Sequence, residues 1–131
     1  MDNERMLALA EEFLRAWNSQ EVERVLECYT PDAEYRDPNT RGTVRGADSL
    51  RRYLTKLFAT WRMHWTVRET QVFTDTQGCA VLWHATFGRL TDDRTIGIDG
   101  IDYVEVRDGR IARNEVCFDR AQLVPLLDAA A

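Results

Sequence analysis

The chain of 131 residues carries 17 Lys plus Arg against 22 Asp plus Glu, a formal charge of −5, and three cysteines. A length of this order fits one domain, 1–131, built around a single core, and basic residues scattered along the chain rather than gathered into a stripe exclude nucleic acid as an expected partner. Met1-Asp2-Asn3-Glu4-Arg5 lacks the basic and apolar regions of a signal peptide, and no apolar run reaches membrane-spanning length, so a soluble, cytoplasmic protein with no membrane partner is expected.

Met6, Leu9, Ala10, Phe13, Ala16 and Trp17 recur at helical spacing and predict an amphipathic helix over 3–18, capped by Asp2 or Asn3. Ser19 is the expected cap of a second, short helix with Val22, Val25, Leu26 and Tyr29 on one face and Pro31 as its stop. Ala33, Tyr35 and Asp37 alternate with charged neighbours, as in a short strand ended by Pro38, and 39–46 reads as a loop. A third helix starting at Asp48 or Ser49 sets Leu50, Tyr53, Leu54, Leu57, Phe58 and Trp61 on one side.

Beyond Met63 alternation replaces the helical period. Strands at about 64–74, 79–90, 95–107 and 110–118 predict a four-stranded antiparallel meander, with Asp108-Gly109 as a two-residue hairpin turn. Residues 120–127 support only a terminal turn of helix. Helices followed by long strands imply an α+β fold in which a curved sheet closes over the helices and leaves a pocket between them.

One strand carries an anomaly. Ile96, Ile98, Gly100, Asp102, Val104 and Val106 share one face, so a single carboxylate stands on an otherwise apolar surface. Such a group must find donors, meet a cation or hold a proton. Arg68, Arg89 and Arg113 are its possible ion-pair partners across the sheet; the apolar neighbours favour a pocket instead. Cys28, Cys79 and Cys117 have no CxxC spacing and read as reduced, buried thiols, with Cys28 near a helix end open to partial exposure. His64 and His84 lie on different strands without a ligand cluster, so zinc is not expected. His84 and Trp83 point to opposite sheet faces. Neither a glycine-rich phosphate loop nor a Ser-His-Asp arrangement stands out, and the expected cofactor is none.

The series Phe13…Trp17, Cys28-Tyr29-Thr30-Pro31-Asp32-Ala33, Tyr35-Arg36-Asp37-Pro38, Gly46, Trp83, Asp102, Asp108-Gly109-Arg110-Ile111 and Phe118-Asp119 resembles the SnoaL-like polyketide cyclase and ketosteroid isomerase group of the nuclear-transport-factor-2-like superfamily. The resemblance covers nearly the whole chain and implies a cone-shaped, cystatin-like α+β barrel. In it three helices pack on a strongly curved, mostly antiparallel sheet around an apolar pocket, and a homodimer forms through the outer face of the sheet. It also implies that Asp37 sits where ketosteroid isomerase has its general base, and Asp102 where that enzyme has a protonated aspartic acid in the oxyanion hole. Phe13 stands where the isomerase has its oxyanion tyrosine, so that donor is missing.

Tyr53, Tyr35, Trp17 and Asn114 are the candidates by spacing to replace it. Phe13, Trp17, Tyr35, Tyr53, Leu57, Trp83, Asn114, Val116 and Phe118 are the expected substrate-binding residues around the catalytic pair Asp37 and Asp102. Each carboxylate has a structural alternative: Asp37 as a turn opener before Pro38 and Asp102 as half of an ion pair, while Asp119 reads as the cap of the terminal turn or as a pocket acid. The expected function is a cofactor-independent acid–base enzyme, of isomerase, cyclase or dehydratase type, acting on a small lipophilic carbonyl compound. The alternative is a non-catalytic binding or accessory dimerisation domain. A homodimer is expected because Trp, His or Tyr side chains on the outer sheet face would otherwise be wet.

Overall fold

The Asp2 carboxylate accepts a hydrogen bond from the Arg5 N–H at 2.8 Å and starts helix α1 (Asn3–Ser19), a cap worth about 1 kcal/mol. The computed structural model describes residues 1–127. Along α1, Met6, Ala10, Phe13, Leu14, Ala16 and Trp17 are buried. Helix α2 (Val22–Leu26) has Glu21 at its cap position and stops before Tyr29, which opens strand β1 (Tyr29–Arg36) and pairs with Ile111. The expected helical face therefore loses Tyr29. Thr30 precedes a proline, which disfavours the helical backbone there and turns the chain to extended structure early.

Strand β2 (Val44–Arg45) occupies part of the predicted loop, opposite Glu34 and Tyr35. Helix α3 (Ala47–Thr60) follows and ends one residue before Trp61, which belongs to strand β3 (Trp61–Val72) rather than to the helix. Strands β4 (Gly78–Arg89), β5 (Thr95–Arg107) and β6 (Arg110–Cys117) complete the meander, antiparallel throughout. Asp108 and Gly109 both have positive φ, 54° and 78°, as a two-residue hairpin turn requires. The sheet order is β2-β1-β6-β5-β4-β3, with β1 parallel to β6. The fold is α+β as expected, but the sheet is open, with β2 and β3 as its two edges.

Asp119 caps a 3₁₀ turn (Arg120–Leu123) by accepting from the Ala121 N–H at 3.0 Å, and helix α4 (Val124–Leu127) ends the described chain. The cap reading of Asp119 fits this geometry. All four tryptophans are buried, while His64 and His84 lie exposed on the outer face of the sheet. The outer face thus carries histidine, without the tryptophan that the alternation left open; of the cysteines expected to be buried, Cys79 is, Cys28 is partly exposed, and Cys117 is exposed because it ends β6 opposite the exposed Ile101. Among the described residues no helix is long and apolar enough to cross a membrane.

The C-terminal end of α1 grips the β3 edge. Asn18 donates to the Trp65 carbonyl at 2.9 Å and accepts from its N–H at 2.7 Å; Gln20 does the same for the Trp61 carbonyl, at 2.7 Å, and the Met63 N–H, at 2.6 Å. Two side-chain amides so satisfy backbone groups that an edge strand otherwise leaves to water. They also fix Trp17 beside Trp65, ring centroids 5.6 Å apart.

Candidate functional site

Between α1, α3 and the sheet lies a cavity lined by Leu14, Trp17, Tyr35, Asp37, Asn39, Leu57, Met63, Trp65, Phe87, Asp102, Val116 and Phe118. Its walls are mostly apolar, five of the twelve lining residues being aromatic, and among the described residues its only charged lining groups are the two aspartates. The free volume is small, about 30 Å³, room for one or two waters, so a larger ligand must displace wall side chains.

Asp102 is buried at the centre of the sheet, 4% exposed, with Val81 and Val116 across from it on the flanking strands. None of the three arginines suggested as partners reaches it: Arg68 pairs with Asp99, Arg89 lies over the Trp61 ring, and Arg113 pairs with Glu105 and Glu115. Two neutral donors serve it instead. The Trp83 indole N–H reaches Oδ1 at 2.7 Å, and the Asn114 amide reaches Oδ2 at 3.2 Å. Trp83 stands diagonally from Asp102, opposite Gly100, where a Cβ would collide with the indole. The glycine lets the ring lie across β5 and aim its N–H at the carboxylate.

Asn114 is oriented by a one-way chain. The Trp17 indole can only donate, and it donates to the Tyr29 hydroxyl at 3.1 Å; the Tyr29 hydrogen then goes to Asn114 Oδ1 at 2.7 Å, which turns the amide nitrogen toward Asp102. The second amide hydrogen meets the Tyr103 carbonyl at 3.3 Å. An irregularity in the β5–β6 register lets both Ile111 and Asn114 face inward although they stand an odd three positions apart. Burial outweighs the two donors and, with the Asp37 charge adding to it, pushes the Asp102 carboxyl up to about 6.

Asp37 is held in another way, at the end of β1 where the chain turns. Its Oδ1 accepts the N–H groups of Asn39 and Thr40 at 2.7 and 3.0 Å, and its Oδ2 accepts the hydroxyls of Tyr35 and Tyr53 at 2.6 and 2.5 Å. Burial, and then the Asp37 charge, push both phenols well above their ordinary range, so they remain donors. The turn that supplies the N–H groups is braced from the C-terminal segment, where Arg120 donates to Asn39 Oδ1 at 2.9 Å. Asp37 is thus the turn opener of the structural alternative and a cavity-lining group at once.

Of the expected substrate-binding residues, Trp17, Tyr35, Leu57, Val116 and Phe118 line the cavity. Trp83 and Asn114 stand behind the wall, against Asp102, and Tyr53 stands behind Asp37. Phe13 is elsewhere, buried in the core at 1% exposure and beside an outer groove with Leu9 and Arg24. The cavity stripe of α1 is Leu14 and Trp17, three residues apart, and one residue of helical rotation carries Phe13 away from it. Leu14, Asn39, Met63, Trp65 and Phe87 are additional lining residues; Phe87 shares its strand parity with Trp83, and Met63 and Trp65 alternate inward on β3. Among the described residues no group of acidic, histidine and cysteine side chains is arranged to hold a metal ion.

No curated protein matches the sequence significantly. Several solved structures share the fold. A nuclear-transport-factor-2-like protein of unknown function from Burkholderia pseudomallei is 18% identical, with a TM-score of 0.83 over 98% of this chain and 100% of that one. TerC, crystallised with polyporic acid, is 20% identical, with a TM-score of 0.81 over 95% and 99%. SalBIII, an epoxide hydrolase/cyclase-like enzyme of pyran ring formation in the polyether salinomycin, is 19% identical, with a TM-score of 0.81 over 92% and 95%. The family model of the SnoaL-like domain matches residues 10–114, most of the chain and both carboxylates, and the protein therefore belongs to the SnoaL-like family.

Proposed function

We propose that this protein is a cofactor-independent acid–base enzyme that removes a proton alpha to the carbonyl of a small lipophilic compound, as an isomerase, cyclase or dehydratase does. The observation that carries this reading is the presence of two carboxylates on one aromatic cavity with unlike surroundings. Asp37, an acceptor for four donors, is the base; Asp102, raised to about 6 by burial, is the neutral acid that hydrogen-bonds the carbonyl oxygen as it becomes an enolate. Every hydrogen-bonding neighbour of Asp102 described above is a donor, so its own proton, when present, is left for a ligand oxygen. A ligand that expels water from the cavity favours the protonated form further. Membership of the SnoaL-like family and a fold shared with the cyclase-like enzyme SalBIII support an isomerase or cyclase type of fold.

The test is exchange of α-hydrogens in deuterated water, followed by proton NMR over a panel of small cyclic ketones and unconjugated enones. The wild type is expected to catalyse exchange for at least one ketone, with a rate that falls as pH rises past about 6, where Asp102 loses its proton. Asp37→Asn is expected to lower the rate by about a hundredfold or more. A panel without catalysed exchange, or exchange indifferent to Asp37→Asn, would leave a binding pocket and remove the enzyme.

A further inference from the structure

Asp102, when protonated, offers a ligand oxygen one hydrogen bond, and neither Phe13 nor Leu14 on α1 brings a second to the cavity. Trp17, Tyr35, Tyr53 and Asn114 are the four donors that spacing offers for that place, and their hydrogen bonds discriminate among them; the Trp83 N–H is already held by Asp102, and Asn39 lies on the Asp37 turn with its Oδ1 on Arg120. The Trp17 N–H is held by Tyr29, and both Asn114 amide hydrogens are held, by Asp102 and the Tyr103 carbonyl. Tyr35 and Tyr53 remain, and both donate to one oxygen, Asp37 Oδ2. Tyr35, stacked on Trp17 at 5.6 Å, lines the cavity; Tyr53 does not.

Each Asp37 oxygen accepts two hydrogen bonds, but those on Oδ1 come from Asn39 and Thr40 backbone N–H groups fixed by the turn, whereas those on Oδ2 come from hydroxyls that can rotate, so a proton arriving from the cavity is accepted at Oδ2. Once protonated, Oδ2 has an O–H of its own to place and no longer holds two phenolic hydrogens. One hydroxyl must turn away, and the hydroxyl with a cavity to turn toward is that of Tyr35.

We propose that Tyr35 is the second oxyanion donor, released toward the ligand by the proton that Asp37 takes. This rests on the acid–base reading of the cavity. The α C–H bond breaks, its proton forms an O–H bond at Asp37 Oδ2, and its electron pair forms the enolate double bond as charge moves to the carbonyl oxygen. The Tyr35 hydroxyl swings from Oδ2 to that oxygen, where the Asp102 O–H also donates. Return of the proton to carbon reverses each change, with no net oxidation. Because the donor arrives as charge develops, it favours the transition state over the bound ketone.

Asp37→Asn in the full chain mimics the neutral, proton-loaded base, and 4-nitrophenol, whose visible absorption reports its anion, serves as the oxyanion probe. The Asp37→Asn protein is expected to bind the probe as the anion. Adding Tyr35→Phe is expected to weaken that binding at least about tenfold more than adding Tyr53→Phe, the scale of one hydrogen bond to a charged acceptor. An equal or larger loss from Tyr53→Phe overturns the role of Tyr35 and leaves the acid–base reading standing. If Asp37→Asn binds no anion, the acid–base reading falls and this inference with it. Should the Tyr35→Phe double variant fail to fold by circular dichroism, 3-fluorotyrosine at position 35 keeps the ring and makes the hydroxyl a stronger donor. Tighter anion binding then supports the role, and unchanged binding overturns it.

Discussion

Asp37 stands where β1 gives way to a turn, and Asp102 stands in mid-strand with a neighbouring strand on either side. At the strand end the following backbone N–H groups are unclaimed by a ladder, and two of them close on the carboxylate, joined by two phenols. Inside the sheet, backbone amides are engaged with β4 and β6, so a carboxylate there relies on side chains alone, here one indole and one amide. A strand end can hold an acceptor with the chain's own backbone, whereas mid-strand burial of an acid pushes it toward its protonated form. Two aspartates of identical intrinsic chemistry are separated by where the ladder stops.

The largest effect expected from this contrast is in the pH dependence of stability. The folded-state pKa of Asp102, about 6, lies above the unfolded value near 3.9, so the native state binds the proton more tightly. Its contribution is fully present below about pH 4 and is lost as pH rises through about 6, a change of roughly 3 kcal/mol. Asp102→Asn removes this dependence. Urea unfolding of both proteins across this window should show the variant gaining on the wild type by that amount; a difference flat in pH would mean that mid-strand burial ionises Asp102 at no cost.

Next in size is Tyr29→Phe, which leaves the Trp17 N–H and Asn114 Oδ1 without their shared partner deep in the core. It is expected to cost about 2 kcal/mol, measured at a fixed pH of about 7. A loss below about 0.5 kcal/mol would show that the chain behind Asp102 tolerates a gap. The smallest effect belongs to the other end of the cavity. Tyr53→Phe removes one of four donors from Asp37, the partly buried phenol, and about 1 kcal/mol is expected in the same unfolding experiment. A loss exceeding that of Tyr29→Phe would reverse the comparison and make the Asp37 end the more tightly built region.

Much of this arrangement was readable before any coordinates, because it follows from periodicity. The two long helices, the meander, the Asp108-Gly109 turn and the inward parity of Asp102 are local patterns whose period is set by backbone geometry. Tyr35 and Asp37 share parity on β1, and both line the cavity. What escaped depends on long-range pairing. The parallel β1–β6 ladder claimed Tyr29 from α2, and β2 formed inside a loop because Glu34 and Tyr35 offered it a partner. Tyr29 then became the link between Trp17 and Asn114, a role invisible in spacing because 85 residues separate it from Asn114. Phe13 was drawn to the cavity by resemblance; one step of helical rotation decides that Leu14 faces it.

The amides of Asn18 and Gln20 also govern how this sheet can meet another. Exposed edges recruit further strands, from a second copy or from an unfolded neighbour. On β3 the backbone groups at 61, 63 and 65 are already bonded to side chains, and past Val67 a register shift at Arg68 interrupts the strand. A strand approaching from that side meets no continuous row of donors and acceptors, so growth of the sheet by edge addition is hindered along residues 61–65 of β3, the longer of the two edge strands.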